Sequence, residues 1–250
     1  METLRLQRSA RGVAALVLNR PERGNAFNQH MLDELHAVLT SLAQDRDVRV
    51  LVLRGEGKHF CTGADIGGRG EGSGGVTLAQ MLEALDTFPK PTIAVAQGGC
   101  VGGGLAIAAC CDVVLAGENA FFSVPELRVG IAPSRELSVY FMRAMGARAF
   151  RRYGLSGERI GAADALRLGV AHEILPASDY EARIGQIIDA FLHGAPMAGA
   201  ELKARIADIV SGAPASDATG EPRGLERSPE AREGVAAYRE KRKPAWAPQD

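Results

Sequence analysis

The sequence lacks an excess of charge of either sign: 29 Lys+Arg stand against 30 Asp+Glu, a formal net charge of -1. A polyanion would find no electrostatic footprint on such a chain, so neither nucleic acid nor an anionic membrane is an expected partner. Long apolar runs are missing too. The most apolar stretch, Val95 to Ala109, is interrupted by glycines and falls short of the roughly 20 residues that a membrane span requires. Met1 to Ala10 alternates leucine with charge and has no apolar signal segment, so the expected location is the cytoplasm. The four cysteines, Cys61, Cys100, Cys110 and Cys111, show no CxxC spacing, which excludes a disulfide framework and leaves core thiols as the expectation. The five histidines show no HExxH or other paired-ligand spacing, so no metal is expected. A P-loop and a GxSxG elbow are both absent. The formal GxGxxG of Gly70, Gly72 and Gly75 follows no strand and is too polar to pack a helix on a sheet.

What is present is glycine, 30 residues of 250, against aromatics at only 5%. At this length about three quarters of the unfolded surface can be buried, so one large domain, or one with an appendage, is expected. Strand-like runs at Val13 to Leu18, Val48 to Leu53, Thr92 to Ala96 and Asp112 to Leu115 alternate with helical periods. After Asn28, a candidate cap, Met31, Leu35, Val38, Leu39 and Leu42 form one apolar face, and Tyr180 through Ile184, Ile187, Ile188 and Phe191 repeats the pattern. This alternation predicts an α/β fold with parallel strands joined by crossovers. Gly67 to Gly75 and Ser211 to Ser228 are too polar to offset the entropy of ordering and read as mobile loops. The second precedes an amphipathic segment, Pro229 to Lys243, expected to be helical.

Two glycine-containing turns follow strands: His59-Phe60-Cys61-Thr62-Gly63-Ala64-Asp65-Ile66, and Gly98-Gly99-Cys100-Val101-Gly102-Gly103-Gly104-Leu105-Ala106. Without obstructing side chains, two such turns can aim backbone N–H groups at one ligand atom, which is how an oxyanion hole is built. Glycines ahead of a helix are also ordinary turn residues, and the residues alone leave both readings open.

These turns, with Leu18-Asn19-Arg20-Pro21-Glu22-Arg23-Gly24-Asn25-Ala26, the segment Phe122-Ser123-Val124-Pro125-Glu126-Leu127-Arg128-Val129-Gly130, and the tail Glu233 to Trp246, resemble the crotonase, or enoyl-CoA hydratase/isomerase, superfamily from about residue 4 to residue 246. The resemblance implies a spiral of repeated ββα units over residues 1–195 that holds an acyl-CoA site. It also implies an α-helical oligomerisation region over residues 196–250 that builds a homotrimer or a dimer of trimers. Coenzyme A enters as the thioester substrate, with no further cofactor. By the same resemblance, the Ala64 and Gly103 N–H groups hold the thioester oxygen and Glu126 is the acid/base. Arg23 lies near the CoA phosphates, Thr62, Gly63, Asp65, Ile66 and Gly102 line the ligand, and Lys241 or Lys243 reaches the nucleotide from a neighbouring subunit. The Gly67 to Gly75 loop is expected to order over bound CoA.

Ordinary hydratases of that family carry a second glutamate three residues past the middle glycine, where this chain has Ala106. A single glutamate suits an isomerase that shifts a double bond from the 3- to the 2-enoyl position, as well as a hydratase that holds its water by other groups. A protein that binds CoA thioesters with little catalysis is the third reading. Ala132-Pro133-Ser134-Arg135-Glu136-Leu137-Ser138-Val139-Tyr140 and the stretch Gly146 to Tyr153 resemble the bacterial branch that hydrates 3-methylglutaconyl-CoA and isohexenylglutaconyl-CoA. On that resemblance Arg128, Arg135 or Arg143 meets a distal carboxylate, and Glu136 is either a replacement second carboxylate or a surface or helix-capping residue.

Overall fold

The computed structural model describes residues 1–66, 74–211 and 228–248. The two segments read as loops therefore lie outside the described residues except at their ends, where Gly74 and Gly75, Ser211 and Ser228 are placed. In chain order the elements are β1 (Leu4–Arg8), β2 (Val13–Leu18), α1 (Gln29–Gln44), β3 (Val50–Gly55), α2 (Leu78–Asp86), β4 (Thr92–Ala96), β5 (Gly99–Val101), α3 (Gly103–Ala109), β6 (Val113–Gly117), β7 (Phe121–Ser123), α4 (Arg135–Ser156), β8 (Ile160–Gly161), α5 (Ala162–Leu168), β9 (Glu173–Leu175), α6 (Tyr180–His193), α7 (Pro196–Ser211) and α8 (Pro229–Glu240).

The central strands are apolar throughout because both of their faces are covered. β3 and β4 lie in a six-stranded sheet of order β1-β2-β3-β4-β6-β9, parallel apart from the β1–β2 hairpin. One face packs on α1, α2 and α3 through Leu51, Leu53, Leu35, Leu39, Leu82 and Leu105. The other meets α6 through Val52, Ile93, Val95, Ile184 and Ile188. A second, short sheet of order β5-β7-β8 stands beside it. Successive coils of the chain each give a strand to the long sheet, a short extended piece to the second sheet, and then a helix. Cross-strand pairing aligns Cys61, Cys100, Phe122 and Ile160 in one row across four such pieces, each fully buried. This is the spiral α/β fold expected from the resemblance.

The capping argument for α1 holds in detail. Asn28 takes extended dihedrals and its side chain accepts the Met31 N–H, while Met31, Leu32, Leu35, Leu39 and Leu42 form the buried face. Other boundaries shift for local reasons. The β2–β3 ladder begins at Val13↔Val50, so Val48 is buried ahead of the strand instead of within it. Asp112 precedes β6 because its carboxylate accepts the N–H and hydroxyl of Thr92. The last helix stops at Glu240, where Lys241 turns left-handed at φ 55°. All four cysteines are buried and unpaired, and burial pushes the Cys61 and Cys111 thiols up to about 12, as inert core thiols require.

Candidate functional site

The two glycine turns are neighbouring rungs of the second sheet. Phe60 N–H donates to Gln97 O at 2.8 Å, Cys61 N–H to Gly99 O at 3.1 Å, and Val101 N–H to Cys61 O at 3.0 Å. Beyond Cys61 the chain bends along the segment before α1: Phe27 N–H donates to Gly63 O at 2.9 Å, and Asp65 N–H to Phe27 O at 3.0 Å. In a parallel bridge of this kind the flanking residues form the bonds, so Ala64 keeps its own N–H outside the ladder. Gly103 is the first residue of α3, where an N–H has no carbonyl one turn earlier to bond. The turns touch. A β-carbon built on Gly63 would lie 2.9 Å from Val101 O and 3.7 Å from the Gly103 nitrogen, and Gly63 itself has φ 91°. Only glycine allows that approach.

The next coil delivers the carboxylate. Gly102 N–H donates to Ser123 O at 2.9 Å, and β5 pairs with β7 through Val101↔Ser123, which sets the start of the Pro125-Glu126 turn against Gly102. Residues Glu126–Val129 form a 3-10 turn closed by Arg128 N–H to Pro125 O at 2.8 Å and Ile131 N–H to Glu126 O at 3.0 Å. A β-carbon on Gly102 would lie 2.8 Å from Glu126 Oε1. The other oxygen, Oε2, is buried without a hydrogen-bond partner among the described residues. Burial pushes the Glu126 carboxyl above its ordinary value. A buried, unpaired polar atom costs about 1–3 kcal/mol and persists where a ligand or reaction uses it.

The remaining sequence-predicted residues divide. Thr62 N–H donates to Gly24 O at 3.1 Å, which brings the turn that carries exposed Arg23 alongside the first glycine turn. Asp65 pairs with Arg20 at 2.9 Å and so braces the turn, while Ile66 is 75% exposed beyond it. Arg128 is drawn away from Glu126 toward the C-terminal end of α4, where it donates to Ser156 O at 3.3 Å. Glu136 lies in the exposed first turn of α4. Helix-start N–H bonding and Ser134 hold its carboxyl below the ordinary range, the opposite of Glu126 and the behaviour of a cap. Lys241 ends α8 and is exposed. Ala106 is fully buried on α3, one turn from Gly102, whose carbonyl accepts its N–H at 3.1 Å.

Three residues without an assigned role also shape the site. Phe27 packs over Gly103, its ring 2.6 Å from where a β-carbon would sit, and Leu78 lies 3.3 Å from the same point. Asn25 is fully buried at φ 56° and its amide donates to Glu56 O and His59 O. These partners are some 30 residues away in sequence, so no local pattern marks them; only the position of Asn25 inside the LNRPERGNA motif does. Two cavities lie elsewhere. One of about 920 Å³ runs between the long sheet and α6, another of about 710 Å³ lies beside α7, and neither contains Glu126 or Gly103. The chemistry, not the volume, singles out the Glu126 site. Among the described residues no group of three or more His, Cys, Asp or Glu could hold a metal ion, and no helix is long and apolar enough to cross a membrane.

A family model described as enoyl-CoA hydratase/isomerase matches residues 8–249. The 2,3-dehydroadipyl-CoA hydratase of Escherichia coli (strain K12) is 36% identical over 169 residues, which span 66% of this chain and 66% of that protein. A probable enoyl-CoA hydratase of Rhodobacter capsulatus is 33% identical over 245 residues, 93% of each chain. Among solved structures, an enoyl-CoA hydratase from Shewanella pealeana superposes with a TM-score of 0.88 at 35% identity, covering 98% of this chain and 96% of that one.

Proposed function

Since the chain belongs to the enoyl-CoA hydratase/isomerase family, we propose that it hydrates a 2-enoyl-CoA with Glu126 as its one catalytic carboxylate. The observation that carries this reading is the buried, unpaired Glu126 oxygen beside the Gly102-Gly103 turn. The substrate's thioester oxygen accepts the Ala64 and Gly103 N–H groups, whose fixed dipoles stabilise the enolate as charge develops. Each such donor is worth about 2.7–4 kcal/mol of barrier. Ionised Glu126 takes a proton from water as the water oxygen bonds the β-carbon. The same carboxyl then returns that proton to the α-carbon as the enolate collapses, so H and OH are added across the double bond and the carboxylate is regenerated. Its raised pKa brings it toward the operating pH, which favours proton transfer in both directions.

Ala106 favours a second reading. With no other carboxylate at that position, Glu126 can instead remove the α-proton of a 3-enoyl-CoA and return it to the γ-carbon, a double-bond shift without water. A thioester-binding protein with little catalysis is the third. Incubation with 2-enoyl- and 3-enoyl-CoA in heavy-oxygen water separates them. Label in a 3-hydroxyacyl product establishes hydration, an unlabelled double-bond shift establishes isomerisation, and neither outcome leaves binding alone.

For the acyl group, the reading extends to a branched or glutaconyl-type chain with a distal carboxylate. Of the three arginines considered, Arg143 has the most support: on α4, paired with Asp86 at 2.8 Å, it acts electrostatically on Cys110, the residue that caps α3 one turn past Ala106. The name of the E. coli relative, a hydratase of 2,3-dehydroadipyl-CoA, agrees with a dicarboxylic acyl group. The proposed assembly is a homotrimer or a dimer of trimers. It is supported by apolar side chains that α7 and α8 leave exposed, among them Leu202, Ile206, Ile209 and Val235. Arg23 and a neighbouring copy's tail lysines would then meet the CoA phosphates.

A further inference from the structure

His59 fills a gap in the ladder that joins the two glycine turns. The bonds Cys61 N–H to Gly99 O and Val101 N–H to Cys61 O set the alternation of a parallel pair, and the next rung should run from Gly99 N–H to His59 O. That carbonyl is already engaged, since it accepts the Asn25 amide at 2.7 Å. The imidazole of the same residue takes its place: Gly99 N–H donates to His59 Nδ1 at 2.8 Å. A ring nitrogen that accepts is unprotonated, so the imidazole is neutral with its proton on Nε2. Gly98 and Gly99 permit this geometry, because a β-carbon on either would lie 2.8 Å or 3.2 Å from Nδ1.

We propose that His59 is a positioning residue that keeps the Ala64 turn and the Gly103 turn in register, and that protonation of its ring uncouples them. His59 itself touches no reacting atom. A protonated ring would point an N–H at the buried Gly99 N–H and the rung would break. Everything charged that acts on the ring opposes protonation. Burial comes first, then Lys58 on its own turn, then Arg159, which stacks 4.2 Å over the Phe121 ring against whose edge His59 packs. Gly24, from the preceding turn, approaches His59 without charge. The pKa is accordingly held below the ordinary 6.5, so the rung is intact at neutral pH and is lost as pH falls through the lowered pKa.

The proposal rests on the oxyanion role given above to the two turns, and its test separates the two. Hydration of a 2-enoyl-CoA and backbone amide exchange across residues 97–103 are measured from about pH 5 to about pH 8 in wild type, His59→Asn and His59→Phe. Asn places an uncharged oxygen where Nδ1 stands, so His59→Asn should keep kcat near the wild-type value at neutral pH and lose the His59 part of the acid limb, leaving that of Glu126. His59→Phe should lose about tenfold in kcat at neutral pH, with KM little changed and faster exchange at Gly99. Wild type should show the same faster exchange, corrected for intrinsic rates, in acid. Equal kcat in the Asn and Phe variants, or wild-type exchange at Gly99 that does not respond to pH, overturns the proposal. If wild type turns over no enoyl-CoA, the reading of function fails, and the exchange data still judge the coupling.

Discussion

At the scale of single residues, the role proposed for Glu126 sets function against stability. Burial raises its folded-state pKa above the ordinary 4.5, so its contribution to stability is fully present below 4.5 and is lost as pH rises through the folded value. At neutral pH the folded chain therefore carries a charge it would be more stable without. Glu126→Gln keeps the shape and removes the charge. It should raise Tm at neutral pH, by about 2–4 °C for each kcal/mol recovered, with the gain vanishing in acid. The same variant should lose about 10²–10⁴ in turnover while acyl-CoA binding persists in calorimetry, and unchanged turnover would exclude Glu126 as the catalytic group. Gly103→Pro deletes one of the two proposed oxyanion donors at a helix position that tolerates proline, but its ring would strike Phe27. Combined with Phe27→Ala it should fold and lose about 10²–10³ in kcat relative to Phe27→Ala alone. The turns that carry Glu126, Ala64 and Gly103 were legible in the sequence because each is a contiguous motif. The contacts of His59 and Asn25 were not, since their partners are backbone atoms of distant segments.

Among the elements, α1 was readable from its cap and its period, whereas α4 was not. Asn28→Ala should cost about 1 kcal/mol, read as a lowered urea midpoint, because the Met31 N–H loses its side-chain acceptor. Beyond a helix cap weighed for Glu136, the helix over Arg135–Ser156 was not anticipated, although Ser134 caps it as Asn28 caps α1, because the helix carries no continuous apolar stripe. The cause is Gly146, whose φ 75° and ψ 156° fall in a region open essentially to glycine and break the helix into two runs of different phase. Space is not limiting there: no atom lies within 4 Å of a β-carbon at Gly146. Gly146→Ala should therefore cost about 1–3 kcal/mol through backbone strain alone, and a stability equal to wild type would show that the kink can relax. The short strands of two or three residues escaped notice for another reason, since they are too brief to show a period and exist only by pairing with neighbours.

For the molecule as a whole, the alternation of strand and helix disclosed the parallel sheet but not the β1–β2 hairpin, whose first strand is only five residues long. The assembly proposed above rests on the apolar surface of α7. Leu202→Glu with Ile206→Glu should shift the sedimentation coefficient from that of an oligomer to that of a single chain, while an unchanged coefficient would place the interface elsewhere. The row of Cys61, Cys100, Phe122 and Ile160 has an evolutionary consequence. Coiled architectures commonly gain or lose repeats without harm, because each repeat contacts only its neighbours. On the oxyanion reading proposed above, one oxygen accepts from two successive coils, and donors about 3 Å from a shared acceptor can stand no more than about 6 Å apart. Adjacent strands, about 4.8 Å apart, satisfy that limit; one extra coil inserted between the turns would double the separation and exceed it. On that reading the chemistry fixes the number of repeats between His59 and Gly103, while the coils outside that seam are free to vary.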